Sequence, residues 1–227
     1  MIRVGVVVVA AGAGSRLGRG SKGLLRVAGR TLVARALDLF LPLEEVVEVI
    51  VVAPPADLLT MRAEVDRAAP DKPVRVVAGG DHRQHSVAFG LRALGDCELV
   101  LVHDVARPLA SPELVRRVMV AAGEFGAAIP GLPSSDTLKQ VRNGGVGESL
   151  DRSQMVRAQT PQGFARSVLE EAHRWAQREA VLADDDAQIV HRCGHSVALV
   201  EGEESNLKLT TPGDLNLIEA LLAAAPR

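Results

Sequence analysis

The stretch Val4-Gly5-Val6-Val7-Val8-Val9-Ala10-Ala11-Gly12-Ala13-Gly14-Ser15-Arg16 opens the chain, and Lys22 follows just beyond it. A valine run without polar alternation reads as a strand buried on both faces. It passes directly into small residues, which let the backbone approach a ligand closely. Free N–H groups in such a turn attract anions, and Arg16 and Lys22 add full positive charges. A small-residue turn alone is more often a tight connection; the two cations in the same loop favour a bound polyphosphate. The turn is not a dinucleotide fingerprint, because Leu17 stands where the third glycine belongs. Nor is it a P-loop, since no Gly-Lys-Ser/Thr follows at the required spacing.

Working outward, continuous apolar strands alternate with amphipathic segments. Strands are predicted at Val4–Val9, Val46–Ala53, Val74–Val77, Leu99–His103 and Gly126–Ile129. Helices are predicted near Leu32–Phe40, Ala56–Ala68, Ser86–Leu94 and Pro112–Ala122. This alternation implies an α/β domain with a parallel sheet covered on both faces. Ser111-Pro112 and Thr211-Pro212-Gly213-Asp214 carry helix-start signals, the second with capping-box spacing. The rhythm breaks after Pro130, where short extended pieces flank Asn143-Gly144-Gly145, a hairpin signal. Residues 135–158 therefore read as a protruding arm seeking a partner surface, or as a flap folded back on its own domain. Helix returns at Ala165–Arg178 and near Asp184–His191, followed by a strand at Val197–Val200 and a terminal helix from Pro212.

The 227 residues suit one sizeable domain. Aromatics are 2% of the chain and the net charge is −2, which argues against base stacking and against tracking a phosphodiester backbone. Cys97 and Cys193 read as two reduced thiols of a cytoplasmic protein. The Val4–Ala11 run is too short to span a bilayer, and a strand explains it better than a signal peptide.

Gly79-Gly80-Asp81-His82-Arg83-Gln84-His85-Ser86 follows the third strand, where open α/β sheets bind ligands. Ser86 reads structurally as a helix cap, and His82 and His85 as exposed helix-start residues. Asp104 ends the fourth strand, where a carboxylate is costly unless used. It is a candidate ligand for a divalent cation that holds phosphates, with a turn cap or a pair with Arg107 as the alternatives. Asp184-Asp185-Asp186 reads as a solvated helix N-terminus. His191-Arg192-Cys193-Gly194-His195 carries ligand-type side chains but fits no metal spacing. Lys208 alternates with Leu207 and Leu209, and such a lysine usually faces solvent.

Together the segments Ala10-Ala11-Gly12 with Arg16 and Lys22, Gly79–Arg83, Val102–Pro108, Asp136–Lys139, Asp151-Arg152, Gln159–Gln162 and Glu201–Lys208 resemble the 2-C-methyl-D-erythritol 4-phosphate cytidylyltransferase family of the non-mevalonate isoprenoid pathway. The resemblance runs nearly the whole chain. It implies a Rossmann-like, nucleotide-diphospho-sugar transferase-like fold in a single domain, 1–227, with 135–158 as a dimerisation arm. It implies CMP transfer from CTP to methylerythritol phosphate with release of pyrophosphate, and Mg2+ or another divalent cation. Arg16, Lys22 and Lys208 would be catalytic. Ala10, Ala11, Gly12, Gly80, Asp81 and Ser86 would bind the nucleotide. Asp104, Arg107, Thr137 and Arg152 would bind the second substrate, Thr137 and Arg152 reaching across a homodimer. Asp104 would also meet the metal, directly or through water. Where the family commonly has proline and glutamine around the catalytic lysine, this chain has Ser21 and Gly23. Two rivals remain open: a ribitol 5-phosphate cytidylyltransferase and a noncatalytic nucleotide-binding protein of the same fold. A nucleotide-sugar glycosyltransferase fits less well, because Asp104 has no aspartate neighbour.

Overall fold

The computed structural model describes residues 2–12, 21–68 and 71–224. In chain order the strands are β1 Val4–Val9, β2 Arg26–Val27, β3 Arg30–Thr31, β4 Val46–Ala53, β5 Val74–Ala78, β6 Leu99–Asp104, β7 Ala127–Pro133, β8 Lys139–Arg142, β9 Gly145–Ser149, β10 Val156–Ala158, β11 Gln162–Ala165 and β12 Ala198–Glu201. The helices are α1 Leu32–Phe40, α2 Leu58–Arg67, α3 Arg83–Ala93, α4 Pro112–Phe125, α5 Arg166–Arg178, α6 Asp186–Arg192 and α7 Pro212–Ala224.

One large sheet carries the fold, in the order β10-β7-β11-β6-β1-β4-β5, with β12 beside β7. The expected parallel half is present: β1 runs parallel to both β4 and β6, and β4 parallel to β5. The valines of β1 alternate between two cores. Val4, Val6 and Val8 pack with Leu37, Phe40 and Val115 on one face, and Val7 packs with Val87, Leu91 and Leu169 on the other. Burying such side chains stabilises by roughly 1.5–3 kcal/mol each, so this strand anchors the domain from its centre.

Three departures from expectation have local causes. The four residues of β11 insert antiparallel between β6 and β7; Gln-Gly-Phe-Ala is too short to show a period, and it ends at Ala165, where the sequence predicts the next helix to begin. The strand expected from Gly126 begins at Ala127, because Gly126 adopts φ +82° and closes α4. Helix α3 begins at Arg83 rather than Ser86, so Ser86 lies inside its first turn and is not the cap. The caps read from Ser111 and from Thr211 with Asp214 are in place: Ser111 accepts from the Leu114 N–H, while Asp214 accepts from the Thr210 and Thr211 N–H groups and Thr211 accepts from Asp214.

Asn143 and Gly144 both take positive φ, 51° and 78°, and close the β8–β9 hairpin as a separate two-stranded sheet. Val141 and Val146 pair across it and stay 75% and 79% exposed. Within the segment 135–158, β10 returns to the main sheet against β7. Among the described residues, no helix is long and apolar enough to cross a membrane.

Candidate functional site

The strand order makes the site. From β1 the chain moves outward to β4 and β5, then crosses back to place β6 on the other side of β1. Ligands of open α/β sheets bind at the carboxyl ends where the order reverses. Here that point lies between β1 and β6, with Val9 in register with Asp104. A cleft of about 310 Å³ opens there.

Ala11 and Gly12 leave β1 at one wall, and the loop after β5 forms the opposite one. The two can meet because Gly79 has no side chain: a Cβ there would lie 2.5 Å from that of Ala11 and 2.8 Å from the Ser86 hydroxyl. Ser86 accepts from the Gly80 N–H (3.1 Å) and donates to the His82 carbonyl (3.2 Å), tying the loop to α3. Asp81 and His82 line the mouth. Ala10 is fully buried and does not line the cleft.

Cations converge from separate parts of the chain. Lys22 begins a single 3-10 turn, Lys22–Leu24, and its Nζ donates to the Leu209 carbonyl at 3.1 Å. At Gly23, where the family commonly has glutamine, the backbone packs closely: a Cβ there would fall 2.7 Å from Met61 Cε and 3.1 Å from Ala10 Cβ. Lys208 does not simply face solvent: its Nζ bonds Asp104 Oδ2 at 2.6 Å. Its loop is held from below. Asn206 donates to the Thr160 carbonyl (2.9 Å), Gln159 exchanges bonds with the Glu203 backbone, and the Leu209 N–H reaches the Ala106 carbonyl (2.8 Å).

Asp104 is not paired with Arg107. Its carboxylate is shared between Lys208 and Arg83, whose Nε lies 3.0 Å from Oδ1. Burial alone would push this carboxyl up, but the two cations hold it well below the usual carboxylate range. Arg83 also bonds Asp186 at 2.6 Å, and His173 Nε2 stands 3.1 Å from the other Asp186 oxygen. The expectation of a solvated acidic run therefore fails at Asp186, whose side chain is 1% exposed. It holds at Asp185, which caps α6 by accepting from the Gln188 N–H. Burial opposes ionisation of Asp186, and Arg83 and His173 overcome it. Arg83, Asp186 and His173 are the residues that sequence reasoning missed. Arg83 is visible within the Gly79–Arg83 motif, but nothing local marks its partners.

Arg107 is held by the loops around it, donating to the carbonyls of Asn206 (2.7 Å) and Ala158 (3.1 Å). Thr137 and Arg152 are exposed on the arm, away from the cleft lining, with Arg152 donating to the Ser135 carbonyl at 2.9 Å. Arg16 lies outside the described residues.

His103, next to Asp104 on β6, is buried. His103 is enclosed against Phe40, with Thr160 Oγ1 3.2 Å from Nδ1, and burial lowers its pKa to about 4. An unfolded imidazole titrates near about 6.5. Between those values the unfolded chain holds a proton that the folded chain lacks. The contribution to stability is complete above about pH 6.5 and is lost towards pH 4, about 3 kcal/mol in all. Urea unfolding of the wild type and His103→Gln across that window should show a shallower pH slope in the variant; identical slopes would dismiss His103 as the source.

The chain matches the family model of 2-C-methyl-D-erythritol 4-phosphate cytidylyltransferase (IspD) over residues 4–224. The chain belongs to this family. The cytidylyltransferase of Thermus thermophilus is 46% identical over 222 residues, covering 97% of each chain. That of Geobacillus kaustophilus is 39% identical over 219 residues, covering 96% of each. Among solved structures, the T. thermophilus cytidylyltransferase superposes with a TM-score of 0.81 at 40% identity, covering 98% of this chain and 100% of that one. The 4-diphosphocytidyl-2C-methyl-D-erythritol synthase of Anaerococcus prevotii superposes at 0.86 with 29% identity, covering 98% and 96%. Membership of the cytidylyltransferase family agrees with a cleft of small-residue walls and converging lysines at the switch point.

Proposed function

We propose that this chain performs its family's reaction, cytidylyl transfer from CTP to 2-C-methyl-D-erythritol 4-phosphate, by gathering two polyanions against Lys22, Lys208 and Arg16. The convergence of Lys22 and Lys208 on the cleft at the β1/β6 switch point carries this reading. A phosphate oxygen of the sugar phosphate attacks the α-phosphorus of CTP. One P–O bond forms, the bond to the β-phosphate breaks, and pyrophosphate leaves in line. The attacking phosphate is already ionised near neutral pH, with a second pKa of about 6, so no strong general base is required. Placement and charge neutralisation remain as the work of the protein. Ala11, Gly80 and Ser86 supply a close wall for the base. Lys208, fixed by Asp104, presents its charge to the reacting phosphates.

Magnesium fits this site in one manner. Asp104 faces the cleft, but its two oxygens already accept from Arg83 and Lys208. A hard cation here would take most of its ligands from triphosphate oxygens and water, with Asp104 as an anchor through water. When bound it would neutralise charge on the triphosphate.

We assign the arm to a second copy of the chain, forming a homodimer. The uncovered pair Val141 and Val146, together with the exposure of Thr137 and Arg152 at a distance from their own cleft, supports that role. Arg152→Ala should raise KM for the sugar phosphate more than for CTP. Mixing it with Lys22→Ala subunits and allowing exchange should restore activity, because one site of the mixed dimer regains both groups. An unrestored mixture would place the arm in its own subunit's site. Free Cys97 and Cys193 support a reducing, cytoplasmic setting.

Pyrophosphate release with CTP against ATP, GTP and UTP, using methylerythritol phosphate and ribitol 5-phosphate in turn, tests the whole reading. Methylerythritol phosphate with CTP should be the preferred pair; faster turnover of ribitol 5-phosphate would overturn it.

A further inference from the structure

We propose that Glu171, Cys193 and His195 form a second metal site, for a borderline transition-metal ion such as zinc, on the side of the domain formed by α5 and α6. Their ligand atoms all lie within 4.8 Å of one another, and His195 Nε2 is 3.1 Å from Glu171 Oε2. Zinc bonds to sulfur at about 2.3 Å and to nitrogen and carboxylate oxygen at about 2.0–2.2 Å. Small side-chain adjustments would bring all three atoms to those distances, leaving a fourth position for water.

Two features make this more than a chance meeting of side chains. The first is the turn that closes α6. Gly194 takes φ +103°, and the N–H groups of Gly194 and His195 bond the carbonyls of His191 and Val190. That left-handed residue turns the chain so that Cys193 and His195, two apart in sequence, converge on Glu171 of α5. The turn is closed by main-chain bonds, so little ordering is needed on binding. The second is charge. A thiolate and a carboxylate balance a divalent ion, and the carbonyl end of α6 favours a cation. Arg192, a nearby cation, lies with its guanidinium 5.7 Å from the Trp175 ring centre.

The donor set separates this ion from magnesium. Thiolate and imidazole select zinc or cobalt, whereas magnesium prefers oxygen ligands alone. Sequence spacing could not reveal the site, because the third ligand comes from another helix. The bound ion would clamp α5 to the end of α6. Those helices carry His173 and Asp186, so the clamp would brace the buried pair behind Arg83.

Metal-free full-length enzyme, titrated with Co2+ in the absence of nucleotide, should develop a thiolate-to-cobalt charge-transfer band at one equivalent, displaced by Zn2+. Cys193→Ser should abolish the band, and Glu171→Gln and His195→Ala should each weaken zinc binding at least tenfold. At a hundredfold excess over Kd, zinc should raise Tm by about 5 °C or more, and Cys193→Ser should remove the shift. Absence of the band, its survival in Cys193→Ser, or unchanged zinc affinity in both other variants would overturn the proposal. Cobalt held at the nucleotide cleft lacks a thiolate and gives no such band.

Discussion

Lys22→Ala should lower kcat by about 10² or more, the scale of a lost transition-state donor. Lys22 is placed for this by its 3-10 turn and by the bond from Nζ to the Leu209 carbonyl, beside Lys208. Charge on the α-phosphate and the departing pyrophosphate grows as the reaction proceeds, so a fixed ammonium there counts most at the transition state. The fold should survive. The turn closes through main-chain bonds from Leu24 to Ser21 (3.2 Å) and from Leu25 to Lys22 (3.0 Å), which alanine keeps. Steady-state pyrophosphate release together with a thermal melt checks both halves. A kcat within a few-fold of wild type would remove Lys22 from the chemistry.

Arg83→Met should cost about 3–5 kcal/mol of stability, the range for breaking a buried ion pair from one side. Arg83 bridges two carboxylates, Asp104 with 11% and Asp186 with 1% of its side chain exposed. Methionine fills similar volume but leaves Asp186 with His173 as its remaining described partner. The loss should be greatest near neutral pH and smaller in acid. The folded-state pKa of Asp186 is depressed by Arg83, so the stabilisation is present above the ordinary carboxylate range and disappears as pH falls through the depressed value. Combining Arg83→Met with Asp186→Asn should recover part of the loss. Urea midpoints for the single and double variants test the assignment, and a single-variant loss under about 1 kcal/mol would contradict a buried bridge.

The contrast between these two residues shows where reading the chain stops. Lys22 stands close to a glycine turn after an unmistakable strand, so local pattern points to it. Arg83 meets Asp186 across 103 positions of sequence, and no periodicity links them. Asp104 is conspicuous as a carboxylate at the end of an apolar strand, yet its partners are not Arg107 but Arg83 and Lys208. Asp186 looks like its two acidic neighbours and differs from them only in burial. The insertion of β11 is hidden for another reason: four residues are too few to display a period.

The order of residues is enough to give the alternation of strands and helices, the anionic character of the ligand and, through the succession of motifs, the family. Those properties arise from interactions among residues a few positions apart, where β-branching, capping and turn geometry act. Packing in three dimensions settles the rest: where β6 crosses beside β1, which carboxylate each cation faces, and which acids are shut away from water. Coulomb energy depends on distance and surroundings in space, and neither is a property of position along the chain.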